Sequence, residues 1–314
     1  MKNLAAVERC PVCEGQARAV MTLRAGEIRA CLAEAMGAAV PDNLVIADYE
    51  MRQCQACSLV FADPMLPGDF AFYQWVTGFP HYHADARWEW GAMRRLLAAR
   101  AGPGRLLDVG CGDGKFLASL KPLKSLEASG IDLSETNVAR AKARLVNARR
   151  ATLEELGREG ARFDVVTLTH VLEHFADPIK VIGLGKSLLN PGGEILLSVP
   201  YSPTSGEALK PDIMNLPPHH LTRWNMASLE RLAGLAGLEL SYEMRKPKPV
   251  LKRAVRHMLA GVPGGADKRG FWRGAAFVAS HPRALASAIA LYRGREKIGG
   301  RRAADEILVR LALG

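Results

Sequence analysis

The amino-acid sequence predicts an α/β fold built on a doubly wound, mostly parallel sheet, with a small N-terminal module and a helical C-terminal appendage. Three observations carry this reading. Between about residues 100 and 200, short apolar runs alternate with stretches of helical period, the pattern of strand–helix units whose sheet is covered on both faces. The runs are bounded by turn residues such as Asn190-Pro191-Gly192-Gly193, which stop one element before the next begins. With 314 residues, 48% of them hydrophobic and 24% charged, the chain can bury a sizeable core and matches neither a disordered nor a membrane composition.

In chain order, residues 1–65 hold two Cys-x-x-Cys pairs, a helix-like stretch at 26–39 and a strand-like Leu59-Val60-Phe61 closed by Asp63-Pro64. Residues 66–100 are aromatic-rich, with Phe70, Phe72, Tyr73, Trp75, Tyr82, Trp88 and Trp90, and are expected to form a helical cap or linker. Residues 101–244 carry the sheet domain. Strands are predicted at 105–109, 127–132, 163–168 and 194–199, with helices at 115–120, 135–145, 178–189 and 225–235, the last capped by Asn225. A polar, proline-rich loop covers 201–218. Residues 245–314 form a basic helical segment broken by a glycine-rich stretch at 261–270.

Charge is divided unevenly. The net charge is +10, yet residues 245–314 contain 16 Lys/Arg against 4 Asp/Glu, or +12, leaving −2 for residues 1–244. Leu251 to Leu259 reads as a basic amphipathic helix, and Phe271-Trp272 to Leu291-Tyr292 offers apolar area flanked by arginines. Such a segment suits peripheral contact with an anionic membrane surface; a solvated face or a homodimer contact is the alternative. No apolar run reaches the roughly 18 residues of a membrane span, and residues 1–30 lack the apolar core of a secretory signal. The expected location is the cytoplasm, with the inner membrane surface as the place the basic segment would reach.

Cys10-Pro-Val-Cys13 and Cys54-Gln-Ala-Cys57 supply four thiolates, and in a reducing compartment two such knuckles point to a tetrahedral structural zinc rather than disulfides. A complete thiolate shell leaves no position for a catalytic water. A redox pair and free core thiols are the alternatives. Cys31 and Cys111 lie outside this set.

The first strand of the sheet domain ends in Asp108, followed by Gly110-Cys111-Gly112-Asp113-Gly114 and a helix. Glycines there let the backbone turn tightly and approach a ligand. A carboxylate at the strand end suits a cationic ligand, the ammonium of S-adenosylmethionine (SAM), better than a dinucleotide pyrophosphate. At the end of the second strand, Asp132 stands about 20 residues on, where an acid can bind ribose hydroxyls in either cofactor.

These residues, with Phe163-Asp-Val-Val166, His170-Val-Leu-Glu-His174-Phe-Ala-Asp-Pro178 and Leu189-Asn-Pro-Gly-Gly193 in order, resemble the class I, Rossmann-like SAM-dependent methyltransferases. The resemblance implies that the Gly110–Gly114 loop, with Asp108 and Cys111, faces the methionine portion, Asp132 the ribose, and Leu133 the adenine. Thr152 and Leu153 correspond to the segment bordering the adenine, and His170 to the strand-end residue whose carbonyl faces the amino group. The four-cysteine zinc module before such a domain is similar to that of deoxysugar C-methyltransferases, over about residues 8–240. Those enzymes carry a further C-terminal domain where this chain has a short basic segment.

Methyl transfer is an in-line displacement, and a hydroxyl or carbon-acid acceptor needs a general base. The candidates are Glu173 and His174 after the strand at 163–168, Tyr201 after the strand at 194–199, and His219 and His220 in Pro217-Pro-His-His-Leu-Thr-Arg-Trp224, with His220 favoured because imidazole titrates near neutrality. His174 serves equally well as a loop-pinning residue. The expected activity is methylation of a small-molecule acceptor, a sugar, glycan or secondary metabolite, with oxygen favoured over nitrogen or carbon. An RNA methyltransferase and a non-catalytic SAM-binding protein are the alternatives. A nucleic-acid partner is not expected, because the strand at 163–168 leads into Thr169-His-Val-Leu-Glu-His174 and lacks the Asn/Asp-Pro-Pro-aromatic signature of base-amino methylation.

Overall fold

The structure, a computed structural model, describes residues 9–79, 82, 84–203, 213–245, 249–260, 277–293, 297–298, 301–302 and 305–313. Antiparallel strands open the chain: β1 (Ala17–Leu23) pairs with β2 (Tyr49–Cys54), and β2 with β3 (Val60–Asp63). Between the first two lies α1 (Ala25–Met36), whose buried side is Ile28, Leu32 and Met36 at helical spacing. The aromatic-rich stretch forms α2 (Phe70–Val76), capped by the Asp69 carboxylate accepting from Phe72 N–H, and α3 (Trp88–Ala98).

The alternating region follows as β4 (Gly104–Val109), α4 (Lys115–Leu120), β5 (Leu126–Asp132), α5 (Glu135–Ala143), β6 (Asn147–Arg150), α6 (Leu153–Arg158), β7 (Phe163–Thr169), α7 (Pro178–Ser187) and β8 (Leu189–Pro200). Then come β9 (Thr222–Arg223), α8 (Met226–Ala236), β10 (Glu239–Met244), α9 (Val250–Ala260), α10 (Pro282–Arg293), β11 (Lys297–Ile298), β12 (Arg301–Arg302) and β13 (Glu306–Ala312). Asn225 caps α8 as expected, its side chain accepting from Ser228 N–H.

The main sheet has seven strands in the order β6-β5-β4-β7-β8-β13-β10. Its centre is β4, parallel to both β5 and β7, with Asp108 opposite Gly130 on one side and Thr167 on the other. From β4 the chain winds outward through β5 and β6, then restarts on the opposite flank with β7 and β8. The strand order therefore reverses between β4 and β7, and the carboxyl ends of these two strands, at Val109 and Thr169, form the crevice where ligands bind in such sheets. Leu106, Val165, Leu196 and Leu308 of the sheet share a core with Met93 and Leu97 of α3 and Phe116, Leu117 and Leu120 of α4.

Two features of the folded chain run across the expected segments. The Cys module, the aromatic stretch and the sheet domain belong to one compact unit, Met1–Ser202, Ile213–Glu243 and Glu306–Gly314. A four-stranded sheet with one helix cannot close its own core. Ile28, Leu32, Met51, Phe72, Leu216 and Leu221 pack together, and β9 adds to β3 with Phe61 opposite Thr222. The end of the basic segment is likewise not helical: β13 lies antiparallel to β8, Ile307 opposite Val199 and Val309 opposite Leu197. Arg310 on this strand and Arg100 both reach the buried Glu194 carboxylate.

The second unit, Pro203–Asp212 and Met244–Asp305, contains α9 and α10. Ala254 and Ala288 are buried between them, with Val250, Leu285 and Ile289 around them. The amphipathic expectation for residues 251–259 falls on α9, and Leu251 is exposed. The glycine-rich stretch 261–270, Phe271 and Trp272 lie outside the described residues. Among the described residues no helix is long and apolar enough to cross a membrane.

Candidate active site

The sheet delivers the glycine loop to the switch point. Gly110, Gly112 and Gly114 all take positive φ, 67°, 55° and 75°, a conformation that costs residues with a Cβ about 1–2 kcal/mol. For two of them space is also decisive. A Cβ on Gly110 would stand 2.7 Å from Val171 Cγ2, and one on Gly114 would stand 2.9 Å from Ala141 Cβ. Above Gly112 nothing lies within 4 Å of that point, so its backbone presents an open surface.

Beside it, Asp132 ends β5 with its carboxylate fixed: Oδ2 accepts from Gly112 N–H at 2.9 Å and Oδ1 from Ser134 N–H at 2.8 Å. Leu133 is 59% exposed, an uncovered apolar side chain next to that carboxylate. Open glycine backbone, oriented carboxylate and bare apolar surface, in that order, fit the methionine, ribose and adenine portions of SAM. Asp108 lies deeper. It is buried and accepts from Thr167 Oγ1–H at 2.7 Å, and burial pushes its carboxyl up to about 7, aided by Asp132 and opposed by Thr167.

The side chains of four expected cofactor residues are engaged within the fold. The Cys111 side chain turns into the core beside Leu117, in the space left by Gly130, which has no Cβ. Thr152 starts α6 in a reciprocal capping box with Glu155, and Leu153 is buried beneath it. His170, in the left-handed region at φ 52°, turns its ring to the buried Glu89, with Nε2 at 2.8 Å from Oε1. Burial pulls the His170 pKa down, but Glu173 and Glu89 outweigh it and raise the imidazole to about 8.

The acceptor candidates gather next to the loop. The residue packed on Gly110, Val171, leads into a single 3-10 turn, Leu172–His174. The Glu173 carbonyl accepts from Leu221 N–H at 2.8 Å, which straps the segment before β9 onto this turn. His174, His219 and His220 consequently meet, with ring centroids 4.5–4.7 Å apart. Each Nδ1 faces a carbonyl oxygen: His174 that of His219 at 2.6 Å, His219 that of Met214 at 2.8 Å, and His220 the Asn215 side chain at 2.8 Å. A carbonyl only accepts, so the tautomer inferred places hydrogen on each Nδ1 and a lone pair on each Nε2. The Tyr82 hydroxyl lies 2.9 Å from His219 Nε2, and that of Tyr73 donates to the His219 carbonyl at 3.3 Å.

Burial keeps these imidazoles neutral. It depresses His219 to about 3, lowers His174, and takes His220 well below the ordinary range. Glu173 is fully buried, and neither carboxylate oxygen has a hydrogen-bond partner. His170 Nδ1 stands 3.4 Å and His220 Nε2 3.9 Å from its Oε1. Tyr201, the remaining candidate, is buried at the end of β8, where its hydroxyl accepts from Met226 N–H at the start of α8, a packing position. Sequence reasoning missed Glu89, Arg87 and Asn215. Arg87 Nη1 lies 3.8 Å from Glu89 Oε1, and Glu89 carried one legible signal: an acid among the tryptophans of an apolar helix face needs a buried partner.

At the other end of this unit the four module cysteines converge. Cys10 and Cys57 sulfurs are 3.7 Å apart, Cys13 and Cys54 3.5 Å, and Cys13 and Cys57 3.6 Å. Four sulfurs at the corners of a tetrahedron around an ion, with bonds of about 2.3 Å, would be separated by about 3.8 Å. Backbone N–H groups of Val12, Ala56 and Cys57 point at the sulfurs of Cys10 and Cys54. The residues after the knuckles, Glu14 and Ser58, both turn at positive φ.

Comparison with known proteins agrees with this geometry. A family model described as a methyltransferase domain matches residues 82–243. The ubiquinone biosynthesis O-methyltransferase of Marinobacter nauticus is 39% identical over 103 residues, covering 30% of this chain and 43% of that protein. The protein of the same name from Pseudomonas aeruginosa is 36% identical over 119 residues, covering 36% and 49%. The chain thus spans less than half the length of these curated relatives. They are named as O-methyltransferases, so the likeness to deoxysugar C-methyltransferases finds no support in them. A SAM-dependent methyltransferase from Archaeoglobus fulgidus shares the fold, with TM-score 0.50 and 17% identity over 77% of this chain and 98% of that one. The chain belongs to the methyltransferase-domain family.

Proposed function

We propose that this enzyme methylates a hydroxyl oxygen of a small-molecule acceptor of the sugar, glycan or secondary-metabolite class. The observation that carries the reading is the histidine cluster beside the glycine loop, where buried neutral imidazoles present Nε2 lone pairs next to a carboxylate that accepts no hydrogen bond. The relatives named for O-methylation in ubiquinone biosynthesis support oxygen as the atom. Bound SAM supplies a methyl carbon open to in-line attack.

In this reading His220 Nε2 takes the acceptor's hydroxyl proton, Asn215 holds the ring's tautomer through Nδ1, and Glu173 stabilises the imidazolium that forms. The Glu89–His170 pair fixes Glu173 from behind. Tyr73 and Tyr82 orient His174 and His219. An RNA acceptor is disfavoured because residues 1–244 carry a net charge of −2, whereas phosphate backbones demand a basic face.

We also assign a structural zinc to Cys10, Cys13, Cys54 and Cys57 and an anionic-surface contact to the basic segment. The test of the central reading is production of S-adenosylhomocysteine with a panel of hydroxylated acceptors. Turnover that needs a hydroxyl and falls in His220→Ala supports it; transfer to amines alone, or to RNA alone, refutes it.

A further inference from the structure

Glu173 and His220 face each other across 3.9 Å as acceptor against acceptor. The Nδ1 hydrogen of His220 is committed to Asn215, so its Nε2 offers a lone pair to a carboxylate with no hydrogen-bond donor on either oxygen. His170 Nδ1 stands 3.4 Å from Glu173 Oε1, a charge partner that makes no hydrogen bond to it, and a buried carboxylate so incompletely satisfied calls for an unseen water or ion. The surroundings favour an ion. Ligand atoms of His174, His219 and His220 all lie within 4.8 Å of one another. All three rings carry the accessory contact that metal-bound histidines show, the far N–H donated to a carbonyl oxygen.

We infer that His174, His219 and His220, with Glu173, form a binding site for a first-row divalent cation, independent of the four-cysteine cluster. Three imidazoles and one carboxylate leave open positions on a six-coordinate ion, which suits Fe2+, Co2+ or Ni2+ rather than Mg2+ or Ca2+. His174 and His220 offer Nε2 directly; at His219 the ion displaces the Tyr82 hydroxyl, now 2.9 Å away. The inference rests on the methyl-transfer reading for its chemistry. An acceptor hydroxyl on such an ion is acidified and releases its proton to solvent. The new O–C bond then forms as the C–S bond of SAM breaks, leaving S-adenosylhomocysteine, and no oxidant or reductant is needed. In the loaded enzyme the imidazoles are ligands, and the ion replaces them as the means of activating the oxygen.

The test is titration of the full-length protein with Co2+, read by visible absorption and by metal analysis of the desalted protein. Cobalt on the cysteine cluster shows thiolate charge transfer, whereas cobalt on imidazole and carboxylate shows only weaker d–d bands. The expected result is one Co2+ per chain with the second kind of spectrum in the wild type, lost in His174→Ala, in His220→Ala and in Glu173→Gln. Calorimetric SAM binding by the same variants verifies that they are folded. A wild type that shows only thiolate-type cobalt, or variants that keep the second spectrum while binding SAM normally, overturns the site. Turnover persisting without the cation would leave the methyl-transfer reading standing with imidazole as base; absence of SAM binding would remove that reading instead.

Discussion

Val171 presses its Cγ2 to within 2.7 Å of the point where Gly110 would carry a Cβ, and this contact joins the cofactor loop to the histidine cluster. Gly110 lies at the end of β4, and Val171 opens the turn bearing Glu173 and His174. A side chain at residue 110 would push the two crevice walls apart. Gly110→Ala is expected to weaken SAM binding at least tenfold, combining a left-handed strain of about 1–2 kcal/mol with the clash. Val171→Ala in the same chain removes the clashing methyls and is expected to restore part of the affinity, the strain remaining. Calorimetry of the two single variants and the double variant checks the coupling.

His220→Ala is expected to lower kcat by about 10²–10⁴-fold, the usual worth of a positioned proton acceptor, with the dissociation constant for SAM within about twofold of the wild type. Loss of SAM binding in step with kcat would show instead that the ring only supports the fold.

The cysteine cluster also bears on the active site. Ala62 N–H on β3 donates to the Leu221 carbonyl at 2.8 Å, one residue from His220. Cys54→Ser, or chelation of the zinc proposed there, is expected to lower the melting temperature and to reduce turnover. Zinc content and thermal unfolding measured on the same samples check both effects; a zinc-free protein melting as the wild type does would contradict them.

Asp108 gives a pH dependence of known sign. Its folded pKa, about 7, exceeds its unfolded value because the site is buried, so the native state binds its proton more tightly. That contribution to stability is complete below about pH 4 and is lost as pH rises through 7, with a slope approaching 1.4 kcal/mol per pH unit. Asp108→Asn keeps the hydrogen bond with Thr167 and is expected to flatten the slope while weakening SAM binding. Denaturant unfolding at pH 5, 6, 7 and 8 measures it.

Much of the sheet was legible because buried parallel strands declare themselves as apolar runs, and β4, β5, β7 and β8 fall where Leu106, Ile131, Val165 and Leu197 predict. Two strands were not. In β6 only Ala148 is buried, so it lacks the apolar run of a central strand. In β13 the run Ile307-Leu308-Val309-Arg310-Leu311 was hidden inside a basic segment read as helical. The turn at Gly110, Gly112 and Gly114 was readable because positive φ favours glycine, and Asp132 because it closes an apolar strand. The histidine cluster was readable only as separate candidates. Nothing local to His174 shows that a strap from Leu221 brings His219 and His220 against it, or that Glu89 and Asn215 orient the rings, because such contacts are long-range. The core shared by Ile28, Phe72 and Leu221 is likewise a property of the folded chain, with no local signal.

The central claim is that the Gly110–Gly114 loop and Asp132 hold SAM. Titration calorimetry of SAM into the wild type and into Asp132→Ala tests it most directly. One molecule bound per wild-type chain is expected, with affinity reduced about tenfold or more in the variant, the worth of at least one charge-assisted hydrogen bond. A wild type that binds no SAM, or an Asp132→Ala variant that binds it equally well, would contradict the account.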